Sequence, residues 1–416
     1  MTDPQLQRLL DTLWRMESPR LVARLARMLG DLDSAEELAQ DALLAALEHW
    51  PEQGIPDNPA AWLMATAQRR AIDRLRQRRL HAQRQAQVID EQQDYAMGAE
   101  QSEHLDDIGD DLLRLVFVAC HPALPADARV ALTLRLLCGL STHEIARAYL
   151  QPEPTIAQRI VRAKRLLAER KVAFEVPRRQ ELPQRLQSVL DVVYLVFNEG
   201  YAASSGEDWV RPALCEEALR LGRVLVGLMP DTVSVLGLLA LMELQASRLR
   251  ARVAADGAAV LLLDQDRSRW DWLQIARGQA ALTQAVALGG ADDAYVLQAG
   301  IAACHARARQ AEQTDWQAIA TLYGRLLEVM PSPVVELNRV VAVAQAQGAA
   351  TAWLLLQHLV DDPQLQGYAP LQAVRADLLA RLGRAAEARQ AFEQAAALSG
   401  NAREREALLA RAAAVQ

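Results

Sequence analysis

The segment Leu132–Leu167, LTLRLLCGLSTHEIARAYLQPEPTIAQRIVRAKRLL, constrains this chain more than any other. Its spacing predicts a helix-turn-helix with a basic second helix. Ser141 and Glu144 form a capping box, S-x-x-E, in which each side chain serves the other residue's backbone N–H and so starts a helix. Ile145 and Ala146 turn inward on that helix, which stops near Leu150. Gln151, Pro152 and Glu153 make the turn, and Pro154 suits the first turn of the next helix, where a missing N–H costs nothing. Ile156, Ile160, Ala163 and Leu167 then recur at helical spacing and predict the buried stripe. Thr155, Gln158, Arg159 and Arg162 share another face, and such side chains hydrogen-bond base edges and phosphates in a major groove. An ordinary helical hairpin with a solvated basic face would satisfy the same pattern.

A second basic element precedes it. Pro59–Arg84 reads PAAWLMATAQRRAIDRLRQRRLHAQR, with Trp62, Ala65, Arg69, Ile72 and Arg76 along one side of a helix. Arg69, Arg70, Arg74, Arg76, Arg78 and Arg79 form a cation cluster offset only by Asp73. Such a cluster suits phosphate contact, the source of most sequence-independent affinity. It also suits a solvated helix end, because cations complement the dipole at a C-terminus.

Taken in order, these motifs resemble a known family. Asp33–Asp41 (DSAEELAQD), Trp62 and Ala71–Arg76 (AIDRLR) look like region 2 of an extracytoplasmic-function (ECF) sigma factor. Leu140–Ala146 (LSTHEIA) and Thr155–Arg165 (TIAQRIVRAKR) look like its region 4. Tyr194–Tyr201 (YLVFNEGY), Asp264–Asp271 (DQDRSRWD), Ile301–His305 (IAACH) and Pro331–Arg339 (PSPVVELNR) are similar to the ECF group with a long C-terminal helical extension. Arg69 stands where such proteins commonly carry Asn, and Leu150 where the turn often has Gly.

The resemblance implies promoter DNA and core RNA polymerase as partners, the latter through its β′ coiled coil and β flap. It implies −35 contacts from Thr155, Gln158, Arg159, Arg162, Lys164 and Arg165. It implies −10 contacts from Trp62, Arg69, Arg70, Arg74, Arg76, Arg78 and Arg79. The loop Pro51–Pro59, PEQGIPDNP, would capture a flipped base, with Trp62 supporting the separated strand by stacking or else packing in the core. Glu37, Gln40, Asp41 and Glu48 would meet the polymerase. Taken alone, their helix is simply amphipathic: Leu38, Ala42, Ala45 and Ala46 face inward, as do Leu21, Leu25, Met28 and Leu29 on the helix before it. Gly30 and Asp31 separate the two helices, and Asp33 or Ser34 is the expected cap.

The net charge of −7 argues against nucleic acid only as a global sum, because binding surfaces are local. Basic residues gather at Arg69–Arg84 and Arg159–Arg179, while Asp90–Asp111 is acidic and reads as a mobile linker. No N-terminal apolar region signals secretion, and no apolar run reaches the roughly 18 residues of a membrane span, so a cytoplasmic chain is expected. Cys120, Cys138, Cys215 and Cys304 are dispersed without a CxxC pair, and Cys120-His121 and Cys304-His305 read as core or helix-end residues. No metal, cofactor or catalytic residue is expected. Abundant Ala, Leu and Arg with little alternation predicts an all-α fold.

The expected organisation is a region 2 helical bundle at 1–84, an acidic linker at 85–110, a region 4 helix-turn-helix at 111–176 and a helical extension at 177–416. In the extension, Ala376, Leu379, Ala388, Phe392 and Ala395 flank Leu382-Gly383 at tetratricopeptide (TPR) spacing, with Gly400 ending the unit, so a TPR-like α-solenoid is expected. A further helix pair is expected over Trp316–Leu359, broken at Pro331 and Pro333. Asp264–Asp271 reads as an internal salt-bridge network before it reads as a catalytic cluster, and Gly200 as the end of a helix bearing Glu199. Three functions compete: an ECF-type sigma factor, a DNA-binding regulator with a TPR-like sensor but no polymerase role, and an enzyme. The absence of Walker, G-x-S-x-G and G-x-G-x-x-G motifs disfavours the enzyme. A loop and Trp62 before the basic helix favour the sigma factor over a plain regulator, which needs no strand-separating module.

Overall fold

The computed structural model describes residues 4–86, 105–149, 151–203, 207–255 and 257–415. The fold is all-α: no β-strand occurs among the described residues, and one isolated bridge pairs Val253 with Ala259. Two compact units emerge, Met1–Val192 and Val193–Gln416.

The first unit opens with α1 (Pro4–Leu29), α2 (Leu32–Gln53) and α3 (Pro59–Ala86), which pack on one another. Leu21, Leu25, Leu38, Ala42, Ala45, Ala46, Leu63, Ala67 and Ala71 make their shared core. Burying a single Leu is worth about 1.5–3 kcal/mol. Gly30, at φ 67°, turns the chain out of α1. The cap of α2 is Asp31, earlier than the expected Asp33 or Ser34: its carboxylate accepts from the N–H of Asp33 at 3.2 Å and of Ser34 at 3.0 Å. The helix also runs further than expected. Pro51 sits inside its last turn, so the loop before α3 is Gly54–Asn58 and not Pro51–Pro59. Asn58 then caps α3, accepting from Ala61 N at 3.0 Å.

Much of the acidic stretch after α3 lies outside the described residues. The chain resumes in α4 (Leu105–Ala119), followed by α5 (Ala126–Leu136), α6 (Thr142–Ala148), α7 (Glu153–Glu169) and the start of α8 (Leu182–Tyr201). Asp111, at the end of the acidic stretch, is an anchor: its side chain is 1% exposed and faces Arg24 and Arg27 of α1 and Arg114 of its own helix. Burial pushes its carboxyl above the ordinary range, against the pull of the three guanidiniums. The first turns of α8 belong to this unit too. Arg185 donates to Phe117 O at 2.8 Å and Ser188 to Cys120 O at 2.5 Å, so the unit continues past Val176.

The second unit holds the rest of α8, then α9 (Pro212–Leu228), α10 (Val233–Ala246), α11 (Trp272–Ala287), α12 (Ala294–Arg307) and α13 (Trp316–Val329). It continues with α14 (Pro333–Ala346), α15 (Ala349–Gln357), α16 (Ala369–Arg381), α17 (Ala385–Leu398) and α18 (Ala402–Ala414). Helices pack mostly on their chain neighbours. The span Trp316–Leu359 holds three helices where a pair was expected, because Gly348, at φ 95°, breaks α14 from α15. Gly200 does not end α8, which runs on to Tyr201. A Cβ there would sit 2.7 Å from Cys215 N, so its role is the close crossing of α8 and α9.

Candidate nucleic-acid interface

The helix-turn-helix forms as the sequence predicts. Ser141 N donates to Glu144 Oε2 at 2.8 Å and Glu144 N to Ser141 Oγ at 3.1 Å, closing the capping box at the start of α6. Pro152 leads into α7, where Ile156, Ile160, Ala163 and Leu167 are buried. This stripe fixes which side chains look outward. Thr155, Gln158, Arg162 and Arg165 are exposed, and Arg165 also pairs with Glu169 at 2.6 Å. Among them stands Val161, 64% exposed, which periodicity alone did not single out. An exposed β-branched residue on such a face suits a thymine methyl.

Two other predicted cations are held back. Arg159 Nε sits 2.9 Å from Asp127 of α5. Lys164, 12% exposed, faces inward onto α2, 2.8 Å from Asp33 and 2.7 Å from Glu36. Arg135 of α5 also binds the Glu36 carboxylate. Together with Asp111 of α4, which pairs with Arg24 and Arg27 of α1, these contacts clasp the helix-turn-helix against α1 and α2.

On α3 the buried residues Leu63, Ala67 and Ala71 leave Arg69, Ile72, Arg76 and Arg79 on solvent. Two of its arginines pair with acids of α2, Arg74 with Glu37 at 2.7 Å and Arg70 with Asp41 at 3.7 Å, and Arg78 donates to the Ser34 hydroxyl at 3.0 Å. Arg76 pairs with Asp73 at 3.7 Å. Trp62 is half-buried, its ring edge-on to Trp50 at 5.5 Å, so it both packs and keeps surface. Glu37 and Glu48 are exposed, Gln40 and Asp41 half-buried, and at the centre of their face Leu44 is 55% exposed.

The remaining motifs take structural posts. Asp266 and Asp271 are helix caps, accepting from Ser268 N at 2.9 Å and from Leu273 N and Gln274 N at 3.0 Å, so Asp264–Asp271 is not the expected salt-bridge network. Glu199 pairs with Arg211. Cys120 is buried against Thr133, its thiol pushed up to about 11 by burial, and His305 is buried edge-on to Trp316. Among the described residues no His/Cys/Asp/Glu group is placed to hold a metal, and no helix is long and apolar enough to cross a membrane.

Comparison with known proteins agrees with this geometry. Residues 13–81 match Sigma-70 region 2 and residues 114–167 match Sigma-70, region 4. Residues 185–286 match a family of unknown function, DUF6596. The chain belongs to the sigma-70 family, as an ECF-like sigma factor with a role in promoter recognition. It is also 43% identical over 389 residues to an uncharacterized protein of Rhizobium meliloti (strain 1021), covering 93% of this chain and 91% of that one. No solved structure matches it significantly.

Proposed function

We propose that this is an ECF-type sigma factor whose regions 2 and 4 unclasp on core RNA polymerase, and whose second unit is a TPR-like regulatory extension. The observation that carries the reading is α7: a buried stripe sets Thr155, Gln158, Arg162 and Arg165 on one outward face, within the unit that also bears the arginine-rich α3. The α2 face centred on Leu44 meets the polymerase's β′ coiled coil, and the region 4 helices meet its β flap. The Gly54–Asn58 loop and Trp62 handle the −10 strand, with the α3 arginines on phosphate. The −10 and −35 elements lie about 25 base pairs apart, on the order of 85 Å along duplex DNA. A recognition helix whose Lys164 touches α2 cannot reach one element while α3 holds the other, so the clasp opens when the complex forms.

In the second unit, Ala376, Leu379, Ala388, Phe392 and Ala395 are all buried between α16 and α17, which supports the TPR-like reading. The test is promoter-dependent run-off transcription with core polymerase and the full chain alone. A specific transcript is expected. Duplex binding without any transcript would favour a regulator lacking sigma activity.

A further inference from the structure

Three segments that stood out in the sequence, ending or centred on Tyr201, Arg267–Trp270 and His305, meet inside the second unit around three arginines. Arg252 lies with Cζ 3.9 Å from the Tyr201 ring centroid and 5.3 Å from that of Trp209. Arg248 lies 5.7 Å from the same Tyr201 ring and 5.9 Å from Trp270, and Arg267 lies 4.8 Å from the other side of this ladder, on Trp270. Arginine and aromatic therefore alternate from Trp209 to Arg267. Arg248 is 9% exposed and Arg267 5%.

None of the three guanidiniums forms an ion pair among the described residues, and only Glu312, from further off, favours the charged form of Arg267. Arg267 spends its terminal nitrogens on His305 O, Ala308 O and Thr314 Oγ1, at 2.9, 2.7 and 3.1 Å. Its Nε, the Nε of Arg252, the indole N–H groups of Trp209 and Trp270 and Nδ1 of His305 are all buried without a hydrogen-bond partner. The like charges act on one another: burial, then Arg248, hold Arg267 below the ordinary arginine range, and burial with Arg248 and Arg267 brings His305 down to about 3. Buried cations are ordinarily paired, and buried donors bonded. Facing aromatic rings relieve a guanidinium only in part. The open end of the ladder is Arg252, half-buried with Tyr201 and Trp209 beside it.

We propose that Arg252 and Arg248, with Tyr201 and Trp209 at the mouth, bind a small oxyanion, the phosphate or carboxylate group of a soluble metabolite. A guanidinium fork matches either group through paired N–H donors, and a desolvated cation cluster gains most from the charge it lacks. The extension would then carry a ligand site of its own, whatever the first unit does.

The test titrates the full chain with inorganic phosphate and, separately, with citrate, at ionic strength held constant with chloride, by calorimetry and hydrogen-exchange mass spectrometry. Saturable binding is expected, with slowed exchange in peptides covering 248–255 and 257–270. Citrate alone binding would identify the carboxylate form of the site, and phosphate alone the phosphate form. Arg252→Gln should weaken binding at least tenfold, whereas Arg250→Gln, at an exposed neighbour, should leave it unchanged. No saturable binding of either probe would overturn the site. So would slowing confined to α3 and α7, whose arginines also attract phosphate. If Arg252→Gln fails to fold, the exchange pattern of the unaltered chain decides.

Discussion

Lys164 Nζ lies 2.7 Å from Glu36 Oε2, joining the recognition helix of region 4 to the second helix of region 2. Burial works against the ammonium, but Glu36 and Asp33 outweigh it and hold Lys164 above the ordinary lysine range. A raised lysine contributes fully below its unfolded-state value and loses that contribution only as pH rises through the folded one. The ammonium side of the clasp is therefore fully charged at neutral pH.

Glu36→Gln should open the clasp. It leaves Arg135 and Lys164 facing a neutral amide in a largely buried position, a loss on the order of 3 kcal/mol. Small-angle scattering should show an expanded first unit, and a −35 duplex should bind the free protein more tightly. An unchanged radius and affinity would show that this pairing gates nothing.

Arg162→Ala should cost about 1–3 kcal/mol in affinity for a −35 duplex if the side chain makes a bidentate base contact. Arg159→Ala should cost less, because Arg159 already spends its Nε on Asp127. Electrophoretic mobility shifts at matched salt check both; equal affinities for wild type and both variants would remove α7 from the contact.

Trp62→Ala should impair promoter opening while sparing core-polymerase binding. Permanganate reactivity of melted thymines reads the first and co-purification the second. Because the ring also packs on Trp50, a modest fall in melting temperature is expected as well. Outright unfolding by circular dichroism would assign Trp62 to the core alone.

These expectations show how far sequence carries. The capping box and the stripe from Ile156 to Leu167 were legible because both depend on local spacing along one helix. The cap of α2 was misplaced because Asp31, Asp33 and Ser34 all carry suitable oxygens, and only the backbone at Asp31 decides among them. Pro51 looked like a loop residue, yet a final helical turn tolerates it. Asp266 and Asp271 read as ion-pair partners because a carboxylate serves a cap and a salt bridge equally well. The pairs from Lys164 and Arg135 to Glu36, and from Asp111 to Arg24 and Arg27, were not legible at all. Their partners are far apart in the chain, and no periodicity records them.

His305 predicts an acid-sensitive second unit. Its folded pKa is lowered to about 3 by burial and by Arg248 and Arg267, while the unfolded chain takes up the proton near 6.5. Stability should therefore fall as pH drops through 6.5 towards 3, by on the order of 5 kcal/mol in total. Denaturant melts at pH 7, 5.5 and 4 read the slope, and His305→Gln should flatten it. The same slope in both proteins would place the acid sensitivity elsewhere.

Truncation tests the extension, provided it respects α8. A chain ended at Val176 loses Arg185 and Ser188 from the first unit and should melt well below one ended at Val192. The Val192 form should give less run-off transcript than the full chain. Equal transcript at matched folded concentration would deny the extension any regulatory part under those conditions.

The pairing of Glu37 with Arg74 and of Asp41 with Arg70 has a thermodynamic corollary. Surface pairs of this kind are weak, so each is readily exchanged for a stronger external partner. A polymerase surface that takes the two acids sets two arginines free for phosphate, and phosphate that takes the arginines sets the acids free for polymerase. Reciprocity then requires that each binding event raise the affinity for the other by the same factor. Region 2 would thus be a cooperative coincidence detector, quiet towards either partner alone and responsive when both arrive.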